Sequence, residues 1–296
     1  MIKIVPGGMQ IAYGGTRTEV KLKRPWQPRV RVDPSKCPFE KEDDLYNRTI
    51  TRKGELRVIS NKFTPFLSHQ LIISDKCWRI DRLWRLGGPS IITDVLTINS
   101  MLIEEFKEEE LILSAHIGYL AGQNFPHLHF HRIKYGFEGY EPELMWGVGG
   151  RNSIRTPGLQ SGALIEKEIR TALISPREFT IAADSDFAVV AGGHRAGQCF
   201  IVPRNTNFEM TESNISNLAS AISMIVNLYN TKFRSEDKGL RPDYMVALKF
   251  LKGNFSYGFY LPILNHWGAT EYLALLGDGR IILPWPHETT VEYLLA

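Results

Sequence analysis

The chain reads as an α+β protein built from two similar halves, and three observations predict this. Short apolar runs with period-two alternation recur in pairs, the pattern of half-buried strands. Two longer stretches, near 93–107 and 214–233, place apolar residues at helical spacing instead. The order strand, strand, helix, strand, strand then occurs twice along the chain.

In the first round, strands are expected at Leu56-Arg57-Val58-Ile59 and Gln70-Leu71-Ile72-Ile73. A helix follows near 93–107, with Val95, Leu96, Ile98, Met101, Leu102 and Phe106 on one face. After the acidic run Glu108-Glu109-Glu110 come two further strands, Leu111-Ile112-Leu113-Ser114 and 127–133. The second round has strands at 187–190 and 198–203, a helix near 214–233 capped by Ser213 or Asn214, and strands near 244–251 and 258–264. Ser68-His69-Gln70-Leu71-Ile72-Ile73-Ser74 echoes Gly197-Gln198-Cys199-Phe200-Ile201-Val202-Pro203. An internal duplication explains both the echo and the repeated order, and its period is too long for a solenoid. The expected organisation is an extended N-terminal arm over 1–50, a first half over 51–175 and a second over 176–296. The arm is rich in Pro, Gly, Lys and Arg and offers Trp26 and Phe39 as packing anchors.

At 296 residues, with 43% hydrophobic and 23% charged, the chain falls among globular proteins able to bury one large core or two ordinary ones. A net charge of +3 is too small to mark a nucleic-acid surface, and no aromatic-and-basic pattern of an RNA-binding sheet occurs. Three cysteines make a disulfide framework unexpected. The first residues lack the apolar core of a secretory signal, and no apolar run nears the ~20 residues needed to span a bilayer. A cytoplasmic protein without membrane contact is expected.

The run Pro126-His127-Leu128-His129-Phe130-His131 carries the chemistry. On a strand its three imidazoles share one face, about 7 Å between neighbours, while Leu128 and Phe130 point to the other. Imidazole titrates near neutrality, so one ring can act as a neutral nucleophile while its neighbours donate protons to phosphate. Alternating histidines also suit metal ligation, and the triplet by itself leaves both open. Glu138 is not spaced as a cupin ligand set requires.

With the preceding Gly118-x-x-Ala121-Gly122-Gln123-Asn124-Phe125, the triplet resembles the histidine-triad superfamily. The duplication, with a triplet in the first half alone, resembles its galactose-1-phosphate uridylyltransferase group, in which two triad-like halves are fused. The resemblance implies two fused histidine-triad-like half-domains, each an antiparallel sheet packed with helix, the second degenerate. It implies a nucleotidyltransferase or phosphorylase acting on a nucleoside diphosphate sugar or dinucleoside polyphosphate. His129 would attack the α-phosphorus to give a covalent nucleotidyl-histidine, with His127 and His131 beside it. Gln123 and Asn124 match the residues that contact the phosphate. Asn61, in Ser60-Asn61-Lys62-Phe63-Thr64-Pro65, matches the residue that holds the ribose, with Phe63 next to it. No cofactor is implied for the chemistry itself, and a homodimer is expected.

The chain departs from the group at several positions. His116 stands where Asn is usual and adds a further imidazole near the pocket. His131 stands where uridylyltransferases have Gln and triad hydrolases have His, which makes a hydrolase the nearest alternative. A metal-dependent enzyme using the three histidines as ligands is the alternative of another class, and a retired nucleotide-binding module a third. Cys37-Pro38-Phe39-Glu40 resembles the Cys-Pro-x-Cys knuckle of the uridylyltransferases with Glu for the second Cys. By that resemblance a structural Zn site would comprise Cys37, Glu40, Cys77 and His127. Cys199 is expected to be packing, 192–197 a turn, and 266–268 and 284–287 structural. Asp184 and Asp186 are too isolated for a carboxylate metal pair.

Overall fold

The computed structural model describes residues 3–5, 8–13, 16–21, 37–39, 41, 45–61, 68–75, 89–108, 110–117, 127–134, 180–192, 197–205, 208–236, 243–263 and 294–295. Three strands, β1 (Lys3–Val5), β2 (Gly8–Tyr13) and β3 (Thr16–Lys21), form a small antiparallel sheet inside the segment expected to be extended. Val5 pairs with Gly8 and Tyr13 with Thr16, so Pro6-Gly7 and Gly14-Gly15 connect the strands. These are two-residue connections of the kind that close hairpins, and composition alone obscured them.

The remaining strands are β4 (Thr49–Lys53), β5 (Leu56–Ser60), β6 (His69–Ser74), β7 (Glu110–Ile117), β8 (His129–Lys134), β9 (Thr180–Ala183), β10 (Phe187–Ala191), β11 (Cys199–Pro203), β12 (Asp243–Leu251) and β13 (Asn254–Ile263). They make one sheet in the order β4-β5-β6-β8-β7-β12-β13-β11-β10-β9, antiparallel throughout. Helices α1 (Pro89–Phe106) and α2 (Glu212–Glu236) precede β7 and β12. Each strand run expected from apolar alternation is present; α1 begins four residues before its expected start and ends at Phe106, and α2 extends beyond both expected ends. The N-cap of α2 is Thr211, not Ser213 or Asn214: its Oγ1 accepts from the Asn214 backbone N–H at 3.3 Å. Both candidates lie within the first turn, because the acidic Glu212 already belongs to the helix.

Read outward from the centre, each half repeats the same strand order, and the two halves meet where β7 pairs with β12. Backbone hydrogen bonds outside the strand ladders repeat as well. Asn61 donates to His69 at 2.9 Å as Gly192 does to Gln198 at 2.7 Å; Asp75 donates to Glu55 at 2.8 Å as Arg204 does to Asp186 at 2.8 Å. These bonds make His69 equivalent to Gln198, so Gln70 and Leu71 correspond to Cys199 and Phe200. Strand register then carries the equivalence across: Leu71 opposes His131 as Phe200 opposes Phe259. Ser114 opposes His131 as Ala247 opposes Phe259, and Ser114 and Ala247 oppose each other. A local twofold therefore passes between Ser114 and Ala247, which is the duplication read from the sequence.

The main core lies between one sheet face and the two helices. Leu56, Val58 and Ile72, then Leu111, Leu113 and Ala115, pack with Leu128 and Phe130 against Val95, Leu96 and Leu102 of α1. Val189, Ile201, Val246 and Leu248 do the same against Leu218, Ile222 and Val226 of α2. Burying so many branched side chains, at about 1.5–3 kcal/mol each, is what holds the helices on the sheet. Since Leu128 and Phe130 are spent there, His129 and His131 must face the other side.

Candidate active site

On that other face His131 lies beside Leu71 of β6 and Ser114 of β7, so the site is assembled from three neighbouring strands. Residues of one face recur every second position, which brings His69 from β6 and His116 from β7 to the same side. The ring centroids confirm the cluster: His129–His131 at 5.1 Å, His69–His131 at 5.2 Å and His116–His131 at 5.7 Å. Phe39 closes one flank, 5.1 Å from the His127 ring and 5.5 Å from that of His129. Phe39 also packs on a second small core of Leu45, Ile59, Leu71 and Ile73.

Hydrogen bonds fix which nitrogen of each ring carries the proton. His129 Nδ1 donates to the backbone carbonyl of His127 at 2.8 Å, so Nε2 holds the lone pair. Burial pulls the His129 pKa down to about 4; the carbonyl bond opposes this and the charge of His127 adds to it. The ring is therefore neutral at physiological pH, the state in which imidazole is nucleophilic.

A second chain runs beside it. Asn61 Nδ2 donates to His69 Nδ1 at 3.0 Å, and His69 Nε2 contacts His131 Nδ1 at 2.9 Å. Asn61 Nδ2 also lies 3.3 Å from His69 Nε2; in the arrangement where His69 accepts at Nδ1 and donates from Nε2, His131 carries its proton at Nε2. The two neighbouring rings thus present opposite chemistry, a lone pair on His129 and an N–H on His131. His69 was missed as a site residue from sequence. A lone histidine beside an apolar strand run carries no local signal, and its partner is far along the chain.

His127 was expected to serve phosphate or a metal. Its Nε2 donates to the Ser74 carbonyl at 2.7 Å and its Nδ1 lies 3.4 Å from Cys37 Sγ. Both ring nitrogens are engaged with protein. The pair fits half of a tetrahedral metal set: ligands at ~2.3 Å for sulfur and ~2.0 Å for nitrogen stand roughly 3.5 Å apart. A ligating histidine also commonly gives its other N–H to a carbonyl, as His127 does here. Glu40 and Cys77 lie outside the described residues, as do Phe63, Gln123 and Asn124. Among the described residues no group of three or more metal-ligating side chains forms.

The opposite face of β8 holds a polar cluster that sequence reading did not anticipate. Arg132, 1% exposed, forms an ion pair with buried Glu108. Its Nε donates to Asn99 Oδ1 at 3.0 Å and its Nη1 to Gln70 Oε1 at 2.6 Å. Cys199 is buried as expected, its thiol pushed up to about 12 by desolvation. Asp184 accepts from the Asp186 and Phe187 backbone N–H groups, and Asp186 accepts from Asn217, so both serve a turn and not a metal.

By sequence the chain matches no protein-family model and no curated protein. By structure it is similar to an ADP-glucose phosphorylase from Arabidopsis thaliana with bound ADP-glucose, at TM-score 0.57 and 15% identity over 99% of this chain and 97% of that one. It is similar to a galT-like protein from the same plant, at TM-score 0.56 and 15% identity over 87% and 91% of the two chains. A uridylyltransferase matches at TM-score 0.50 and 12% identity over 96% of each. At these identities the likeness shows the fold. The chain shares the α+β fold of these structures, as the sequence resemblance implied. No helix among the described residues is long and apolar enough to cross a membrane.

Proposed function

We propose that this protein transfers a nucleoside monophosphate from a nucleoside diphosphate sugar or dinucleoside polyphosphate through a covalent nucleotidyl-His129. One observation carries the reading: His129 is neutral, buried and held by Nδ1 on the His127 carbonyl, so Nε2 is the nucleophilic atom. Nε2 attacks the α-phosphorus; the P–N bond forms as the bond to the bridging oxygen breaks. The leaving sugar phosphate or nucleotide departs with that oxygen, and His131 Nε2–H is the nearby donor for its charge. An acceptor carrying phosphate then attacks phosphorus from the freed side, and the P–N bond breaks. Asn61 and His69 hold the donor tautomer of His131. Gln123 and Asn124 are proposed to meet the phosphate oxygens, Asn61 and Phe63 the nucleoside, and His116 the pocket wall. Fixed donors of this kind stabilise developing charge without reorganisation.

Water as acceptor is the second reading, favoured by histidine at 131 in place of glutamine. Zinc held by Cys37 and His127, with Cys77 and Glu40, belongs to the same proposal as a structural group; when bound it would fix the strand entrance ahead of His129. A cytoplasmic homodimer completes it.

The test is to incubate the protein with α-labelled nucleoside diphosphate sugars or dinucleotides, quench, and look for acid-labile label on protein. Label that persists in His129→Ala refutes the nucleophile. Label released only on adding phosphate or a sugar phosphate supports transfer, and spontaneous release supports hydrolysis.

A further inference from the structure

We infer that the buried Arg132–Glu108 pair, with Gln70 and Asn99, is a clamp that positions His129 and His131 and that the fold itself does not require it. The inference rests on the nucleotidyl-transfer reading for what the histidines do, but the clamp is defined by geometry alone. Arg132 follows His131 directly on β8 and points through the sheet to the helix side. Its guanidinium is held by Glu108 just beyond α1, by Asn99 within α1 and by Gln70 on β6. β6 is also the strand that supplies His69. One side chain thus ties the strand bearing two site histidines to the strand bearing the third and to the helix.

Glu108 is itself fixed by an uncommon helix end. Lys107 adopts a positive φ of 48°, and the Glu108 backbone N–H bonds the Ile103 carbonyl at 3.2 Å. That is a Schellman ending, normally completed by glycine followed by an apolar residue. Here a lysine takes the left-handed position and a carboxylate is delivered into the core. An apolar residue would have satisfied the motif, so the carboxylate answers to Arg132.

The second half is the internal control. Register places Cys199 opposite Tyr260 where Gln70 opposes Arg132. Tyr229 of α2 stacks on Tyr260 at 5.0 Å and donates to the Gly197 carbonyl, taking the place of Asn99. Among the described residues, the same strands and helix pack there on stacked rings in place of an ion pair. Buried ion pairs add little net stability over apolar residues of similar size, whereas they hold fixed angles well. The half with the histidines has the fork; the half without them has the stacked rings.

The experiment uses the full chain with Arg132→Met/Glu108→Leu, which removes both charges together. Two readouts are taken: imidazole nitrogen spectra of His129 and His131, and turnover on the substrate found by the labelling assay. Expected are a folded protein with a melting temperature near wild type, mixed tautomers at the two histidines, and kcat lower by about 10–100-fold with KM little changed, the scale of a misplacement near 1 Å. Wild-type tautomers in the double variant overturn the clamp. If the double variant does not fold, the statement that the fold does not require the pair is overturned, and Arg132→Lys, which keeps the charge and loses the fork, decides the positioning role by the same spectra. If wild type forms no covalent adduct, the reaction reading fails, and the tautomer spectra alone decide the clamp.

Discussion

The two halves of the sheet share strand order, register and the backbone hydrogen bonds that close their loops, yet they fill equivalent places with different chemistry. Where the first half has His69, His129 and His131, the second has Gln198, Tyr257 and Phe259. His116 corresponds to Lys249, whose ammonium lies 5.8 Å from the Tyr257 ring and 3.3 Å from Glu110. The difference teaches that the scaffold needs only well-packed side chains at these positions. Imidazoles are an addition, and hydrogen bonds engage those of His69, His129 and His131. Function sits on one side of a twofold whose other side shows what the fold accepts without it.

The sharpest way to break this contrast is to substitute equivalent residues. His129→Ala is expected to lower nucleotidyl transfer at least about a thousandfold, as loss of a covalent nucleophile does, with stability nearly unchanged. Tyr257→Phe at the matching place is expected to leave turnover within about twofold. Steady-state kinetics on the labelled substrate check both. Equal losses at the two positions would remove the distinction between a working half and a supporting one.

The next effect is thermodynamic. Arg132→Met alone strands Glu108 in the core and is expected to destabilise by about 3–5 kcal/mol, because one buried charge is left without its partner. Tyr260→Phe across the twofold deletes one buried hydroxyl and no charge, and is expected to change stability by about 1 kcal/mol or less. Urea unfolding of both variants measures the difference directly. A small loss in Arg132→Met would mean that Glu108 takes up a proton or finds water, and the clamp would be looser than its distances indicate.

These two comparisons also show what the sequence could reveal. Strand pairs, helices and duplication were legible because burial on one face imposes period two or 3.6 over many residues. The triplet was legible because its alternation is local. His69 was not, since its role comes from pairing with β8, far away in the chain. Glu108 sat unnoticed in an acidic run, where nothing local marks the carboxylate destined for the core. Arg132 carried no mark either, since one basic residue after the triplet says nothing of which face it takes. The zinc reading shares that limit: its donors span the chain, and proximity of Cys37 to His127 needed the fold.

Among the described residues Cys37 has no counterpart across the twofold, so the metal proposal gives a third test of asymmetry. Wild type is expected to carry about one equivalent of zinc by elemental analysis. Cys37→Ser should lose most of it and melt at lower temperature, since a structural site contributes its binding energy to folding. A full equivalent in that variant would assign the metal elsewhere.

The smallest expected effect lies on the twofold itself, where Ser114 faces Ala247. Ser114 is 1% exposed and its hydroxyl has no hydrogen-bond partner among the described residues, although its strand neighbour is His131. A buried hydroxyl left unsatisfied costs about 1–3 kcal/mol, so Ser114→Ala, which copies the second half, should raise stability by up to about 1 kcal/mol after lost packing is counted. The reciprocal Ala247→Ser should lower it by a similar amount. If Ser114→Ala is destabilising instead, the hydroxyl is satisfied in solution, by water or by the His131 side of the pocket. The serine would then belong with the four histidines, and the boundary between working and supporting halves would move onto the axis.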